Sequence, residues 1–285
     1  MFASVPEVAE HTAQGVIAEL YQDIREVTGA GLVNLVYRHL ATDATVLAWA
    51  WQTLRPHVDS GLLPAQAASL RAGVEKRNRE LMAAGGPRLA PAAKLALPVM
   101  QTYCHTNCLN MMALTHLLRK PGPAAAMLSN ETAKPTAHAL AASEKLPALP
   151  PLPGWHELSP QTLASVLRLN QMAETGPPGA VASLYRHLAC WPDLLPAIEV
   201  LLLPLERSGS LLAARLDTAR SAAQLASEEP LALAPPPAAF GRDFAPFLAQ
   251  LAGVTIAKMI PIGCLLLEHA RNAGDAGDAG KTIPE

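Results

Sequence analysis

The chain repeats itself. The block Tyr37-Arg38-His39-Leu40-Ala41 returns as Tyr185-Arg186-His187-Leu188-Ala189, an offset of 148 residues. The register holds without a gap on both sides. Upstream, Glu26, Gly31 and Val33 match Glu174, Gly179 and Val181. Downstream, Leu47, Leu54, Pro56, Ser60, Gly61, Leu63 and Ala65 match Leu195, Leu202, Pro204, Ser208, Gly209, Leu211 and Ala213. Chance can align Leu with Leu in a low-complexity chain, but not a five-residue block together with Pro, Ser and Gly in register. The sequence is a duplication, and what one half folds into the other must resemble.

Each half reads as the same series of helices. Ala13, Val16, Ile17, Leu20, Ile24 and Val27 recur at helical spacing and define an amphipathic helix. Thr28-Gly29-Ala30-Gly31 breaks it, as Thr175-Gly176-Pro177-Pro178-Gly179 does in the second half. A short helix then carries the repeated block, and another runs from about Ala44 to the neighbourhood of Pro56. Ser60-Gly61 starts the next turn, leading into a longer polar-faced helix near 62–84. The half closes with an apolar helix near 92–118, whose counterpart lies near 242–271. Sparse aromatic residues, 4% of the chain, and the prevalence of Ala, Leu and Pro favour helices over strands. The expected fold is therefore all-α: one compact domain of two pseudo-twofold-related repeats, 1–119 and 161–271. A Pro/Ala-rich linker over 120–160 is long enough to wrap from one half to the other, and 272–285 reads as a flexible tail.

Half of the residues are hydrophobic and the net charge is −2, so the chain has ample material for a core. It offers no bulk electrostatic reason to bind nucleic acid or an anionic membrane. The stretch 247–267 has the length of a membrane span, but Lys258 and Pro261 lie near its middle. A charge there is costly in lipid, so a buried core helix with a proline bend is expected. The N-terminus lacks a basic leader followed by an apolar block. With four cysteines and no secretory leader, reduced thiols in the cytoplasm are expected. No cofactor or metal is implied, and a homo-oligomer is compatible with the sequence.

Chemistry is expected where the halves meet, because clefts between repeats are common small-molecule sites. The strings there are Leu32-Val33-Asn34-Leu35-Val36-Tyr37-Arg38 and Ala180-Val181-Ala182-Ser183-Leu184-Tyr185-Arg186. Helix starts in them are suited to a carboxylate. Two helical halves, a long proline-bearing linker and a turn running into Ser-x-aromatic-Arg together resemble the group I 2-haloacid dehalogenases (the DehI type), over about 10–271. The resemblance implies hydrolytic removal of halide from a small carboxylic acid. A carboxylate in the second-half turn activates a water that attacks the halogen-bearing carbon directly.

Residue by residue, the resemblance places Ala182 and Ser183 beside the base, and Tyr185 and Arg186 on the aromatic-Arg pair. Where the family has its aspartate this sequence has Leu184, which cannot accept a proton. Asn107 fits the asparagine that holds the water. Asn110 lies one turn on, where the family carries an aromatic, and Leu32 and Leu35 fall on an aromatic first-half pocket. The expected substrate-binding set is thus Leu32, Asn34, Leu35, Asn110, Ala182, Ser183 and Leu184. Asn107 positions water, and the base is unassigned. A catalytically altered homologue that binds a small apolar acid is the alternative.

Other groups carry weaker signals. Glu26 and Glu174 precede the turns in both halves, which implies a shared structural role; His39 and His187, repeated likewise, read as packing or capping residues. His105 sits beside Asn107 in one half only, yet a single histidine on an apolar helix is more often a core or rim residue. Cys104 and Cys108 with His116 resemble the alkylhydroperoxidase D-like proteins. Those require Cys-x-x-Cys followed closely by His, and the spacing here has an extra residue.

Overall fold

Local capping and periodicity account for most of the helices in the computed structural model, which describes residues 5–82, 89, 91–119, 146–176 and 179–273. Helix α1 spans Gly15–Thr28 and ends on Gly29, whose φ of 68° is the left-handed conformation that closes a helix at little cost only with glycine. Helix α2 is Leu35–Leu40, with the Asn34 side chain accepting from Val36 N. Asp43 caps α3, Ala44–Asp59, in the same way. Then follow α4, Leu62–Met82, and α5, Leu97–Leu117, which is preceded by a 3-10 stretch at Pro91–Ala96.

The second half contains α6 (Pro160–Gln171), α7 (Ser183–Leu188), α8 (Leu194–Arg207) and α9 (Ser210–Glu228). It closes with one continuous helix, Phe240–Asn272. Within it, α10 (Ala245–Gln250) and α11 (Ala257–Asn272) are joined by a π-helical turn, Leu251–Ile256. Another π-helical turn, Phe240–Phe244, begins it. No strand occurs among the described residues.

Three pairs of helix starts keep the sequence offset, whereas the starts of α6 and α8 depart from it by three and two residues. Helices α2 and α7 begin at 35 and 183, α4 and α9 at 62 and 210, α5 and α10 at 97 and 245. Gly61 and Gly209 precede the fourth helix of each half with φ of 79° and 75°. Pro56 and Pro204 sit in the last turn of their helices, which run on to Asp59 and Arg207. There Ser60 N and Ser208 N donate to the two proline carbonyls, both at 3.0 Å.

Helices α5 and α11 pack on each other, on α4 and on α9, so both are apolar on nearly every side. An apolar 18-residue window of the helix Phe240–Asn272 is 83% buried inside the protein. Lys258, expected to weigh against a span, is itself fully buried and ion-paired to Glu174. The glutamates do not share a role: Glu26 accepts from Gln22 on the exposed face of α1, whereas Glu174 is buried.

Two non-helical segments tie the halves together. Residues 231–237 lie along α3, where Trp49 Nε1 donates to Ala234 O and His57 Nε2 is 3.1 Å from Ala232 O. The end of the expected linker, 146–154, runs past Gly31 in the first half and contacts His187 in the second. Residues 120–145 of the linker, Pro177, Pro178 and the tail from 274 lie outside the described residues.

Candidate functional site

The two turns singled out by sequence end in differently built helix starts. Asn34 caps α2 with its own side chain. The position 148 residues on is Ala182, which has none; its N–H donates instead to Asn170 Oδ1 on α6 at 2.9 Å. Ser183 and Leu184 therefore enter the interior from a turn held by a neighbouring helix. Opposite them α5 presents Tyr103 and Asn107, four residues apart and so on one face. The last helix presents Leu251, Thr255, Ile256 and Met259. A π turn carries an extra residue per turn, which brings both Leu251 and Ile256, five apart, to the same side.

These residues enclose a cavity of about 30 Å³, lined by Asn34, Leu35, Tyr103, Asn107, Val181, Ala182, Ser183, Leu184, Leu251, Thr255, Ile256 and Met259. One water needs roughly 10–15 Å³, so the space exceeds a single solvent site. Four pairs of lining residues are 148 apart: Asn34 and Ala182, Leu35 and Ser183, Tyr103 and Leu251, Asn107 and Thr255. Both halves therefore contribute to the cavity, in these four cases at positions one sequence offset apart.

Of the expected site residues, Asn34, Leu35, Asn107, Ala182, Ser183 and Leu184 meet here, and Leu32 and Asn110 do not line it. Leu32 packs at the margin of the core, and Asn110 is buried on α5. The expected set missed Tyr103, Val181, Leu251, Thr255, Ile256 and Met259. Carrying Asn107 forward by the repeat offset would have found Thr255.

The lining holds amides, hydroxyls and apolar groups but no carboxylate, imidazole, ammonium or guanidinium. Leu184, 1% exposed, is part of the wall, at the position where the resemblance puts the family's aspartate. The Tyr103 hydroxyl lies 3.3 Å from His187 Nδ1 and also engages Ser183. Burial raises the Tyr103 hydroxyl far above the ordinary phenol value and holds His187 below the ordinary imidazole value. His187, expected to be a packing residue, thus has a polar link to the cavity. His39, 148 residues earlier, instead bonds Pro6 O through Nδ1 and packs edge-on against Phe244 and tilted against Phe247.

The thiol constellation is elsewhere and is built as core. Cys104 and Cys108 are buried; contact with the Cys264 thiol and burial raise Cys104, and burial chiefly raises Cys108, well above the usual thiol range. His116, rather than facing them, has Nε2 2.7 Å from Gln66 Oε1, and burial lowers it to about 4. Because its folded pKa lies below the unfolded value of about 6.5, its contribution to stability is complete above pH 6.5. That contribution is lost as pH falls from about 6.5 to about 4. The depressed His187 acts in the same direction. Chemical denaturation at a series of pH values should show His116→Gln losing less stability across this window than the parent protein. Equal slopes would remove His116 from the account. Among the described residues, no group of three or more His, Cys, Asp or Glu is placed to hold a metal ion.

No protein-family model matches the sequence, and no curated protein matches it significantly. Solved structures do match. A D-2-haloacid dehalogenase mutant in complex with D-2-CPA superposes with a TM-score of 0.68 at 18% identity, covering 95% of this chain and 96% of that one. A D-2-haloacid dehalogenase in complex with L-LA gives 0.68 at 17% identity, covering 95% and 97%. A further D-2-haloacid dehalogenase mutant gives 0.68 at 18% identity, covering 95% and 96%. The chain has the fold of these proteins along nearly its whole length.

Proposed function

We propose that this protein is a 2-haloacid dehalogenase-like member of that fold, that it binds a small 2-substituted carboxylic acid in the cavity between its halves, and that its hydrolytic turnover is impaired. One observation carries the reading. Asn107, Ser183 and Leu184, far apart in sequence, line a single cavity in a chain with the dehalogenase fold. Asn107 is then the group that orients water, and Ser183, Ala182, Asn34 and Leu35 form the bed for the acid.

The impairment follows from proton bookkeeping. Direct attack by water on a halogen-bearing carbon forms a C–O bond, expels halide and releases one proton from the water. An asparagine amide positions water but does not accept that proton, and leucine has no lone pair. Positioned general-base catalysis is typically worth roughly 10²–10⁴-fold, and that factor is what Leu184 forfeits. A thiol-based redox role is disfavoured by the buried, raised Cys104 and Cys108, because the thiolate is the reactive form. The free cysteines fit a cytoplasmic setting.

Halide release from each enantiomer of 2-chloropropionate is the test. Saturable binding with slow or undetectable release is the expected result for both. Fast release of halide would mean that an effective base reaches the cavity, and binding of neither enantiomer would remove the small-acid reading.

A further inference from the structure

His187 reaches the cavity through one hydroxyl, and its hydrogen-bonding state is fixed by its other nitrogen. Nε2 is 2.7 Å from Pro150 O. A carbonyl only accepts, so Nε2 carries a hydrogen. In the neutral ring Nδ1 then carries a lone pair, and the Tyr103 hydroxyl 3.3 Å away is the donor to it. The Tyr103 hydrogen is thereby committed to His187, and the phenol oxygen offers only lone pairs to Ser183 and to the cavity that Tyr103 and Ser183 both line. In this state Tyr103 cannot donate to an anion.

A proton on Nδ1 reverses that arrangement. The ring becomes a donor at both nitrogens, Tyr103 O accepts from Nδ1, and the hydroxyl hydrogen is released towards the cavity. The cavity lining carries no charged side chain, so a carboxylate that enters it lacks a contacting countercharge and pays for its desolvation. An imidazolium behind Tyr103 supplies both the charge and the donor. The surrounding charges set the balance. Arg186, 4.9 Å over the Trp155 ring, opposes a proton on His187. Arg38 lies near Tyr103 but is paired with Glu7 at 2.8 Å, while Glu10 and Glu157 stand further out in the same field. An anion in the cavity relieves the opposition from Arg186.

We propose that the cavity takes up a small carboxylate together with one proton from solvent, the proton residing on His187 and the Tyr103 hydroxyl turning to hydrogen-bond the carboxylate. This rests on the reading of the cavity as a small-acid site. No bond to carbon is made or broken: one proton passes from solvent to Nδ1, and Tyr103 keeps its own.

Linkage fixes the sign. If the bound state holds one more proton, the dissociation constant rises about tenfold per pH unit above the free His187 pKa, until the bound pKa is passed. The test is calorimetric titration with 2-chloropropionate at pH 5–8, in buffers of different ionisation enthalpy. The uncharged 2-chloropropionamide is the control ligand. Uptake of close to one proton near neutral pH, absent for the amide and for Tyr103→Phe, is the expected result. His187→Gln should abolish the uptake as well; should it fold poorly, Tyr103→Phe, which removes a single oxygen, carries the test. Imidazole NMR should show the His187 pKa rising on saturation with the acid. Saturable binding with no proton uptake, or uptake unchanged in Tyr103→Phe, overturns the proposal and leaves the small-acid reading standing. Absence of binding at every pH overturns both.

Discussion

Replacing Leu184 by aspartate should raise halide release from 2-chloropropionate by roughly 10²–10⁴-fold over the parent protein. Leu184 is 1% exposed and shares the cavity wall with Asn107 and Ser183, so a carboxylate there faces any water held by the Asn107 amide. The second residue of α7 is also a favourable place for an anion, since the first turn of a helix carries unpaired N–H groups. Two costs accompany the gain. Leucine is larger than aspartate, and removing a buried aliphatic side chain typically costs about 2–5 kcal/mol. The apolar surroundings also raise the new carboxyl's pKa, so activity should increase with pH as it ionises. Initial rates over a pH series, with a thermal melt to confirm folding, measure all three effects. A folded Leu184→Asp protein that binds the acid and shows no gain would mean that the cavity does not place water on the halogen-bearing carbon.

The second large effect is structural. Lys258→Met should destabilise the protein by about 3–5 kcal/mol, because it leaves the Glu174 carboxylate buried without its partner. The two side chains are 0% and 5% exposed, and Lys258 Nζ also donates to Asn170 O. Burial lowers the Lys258 pKa, and the hydrogen bond that Lys258 donates to Glu174 works against that shift. Glu174→Leu should cost a similar amount for the converse reason. The double replacement should recover most of the loss, since an apolar pair of similar volume avoids desolvating two ions. Denaturant unfolding of the two single variants and the double variant forms the cycle. A loss below 1 kcal/mol in both single variants would show that water reaches the pair.

The same ion pair bears on the site. Glu174 accepts from Gly179 N at 3.1 Å, and Asn170, whose carbonyl binds Lys258, holds Ala182 N through its side chain. The turn forming one wall of the cavity is therefore anchored by this buried charge. The residues 148 positions earlier, Asn110 and Glu26, make no such pair, so this anchor belongs to the second half's wall of the cavity.

Much of this was legible before any coordinates. Helix periodicity, caps such as Asn34 and Asp43, and the glycine stops are decided by residues within a turn of one another, so a linear sequence contains them. The 148-residue offset marked the two turns as equivalent, and the motif pattern drew Asn107, Ser183 and Leu184 together. Asn110 fails for a reason that periodicity cannot see. It shares a face with Asn107 but lies about 4.5 Å further along the axis, past the last residue that α5 gives to the cavity. Tyr103, one turn the other way, lies within it.

Tertiary structure alone decided the rest. The π turn that brings Leu251 and Ile256 to one side adds a residue within an otherwise helical pattern, and apolar residues on every face hide the shift. Lys258 meets Glu174, and His187 meets Tyr103, across 84 residues of chain each. Which of His39 and His187 is linked to the cavity depends on which helix packs over it, and only His187 lies against Tyr103 on α5. Local sequence determines where each helix starts and stops; only the packing of α5 and the last helix against the two turns determines which polar groups share the cavity and which are left in the core.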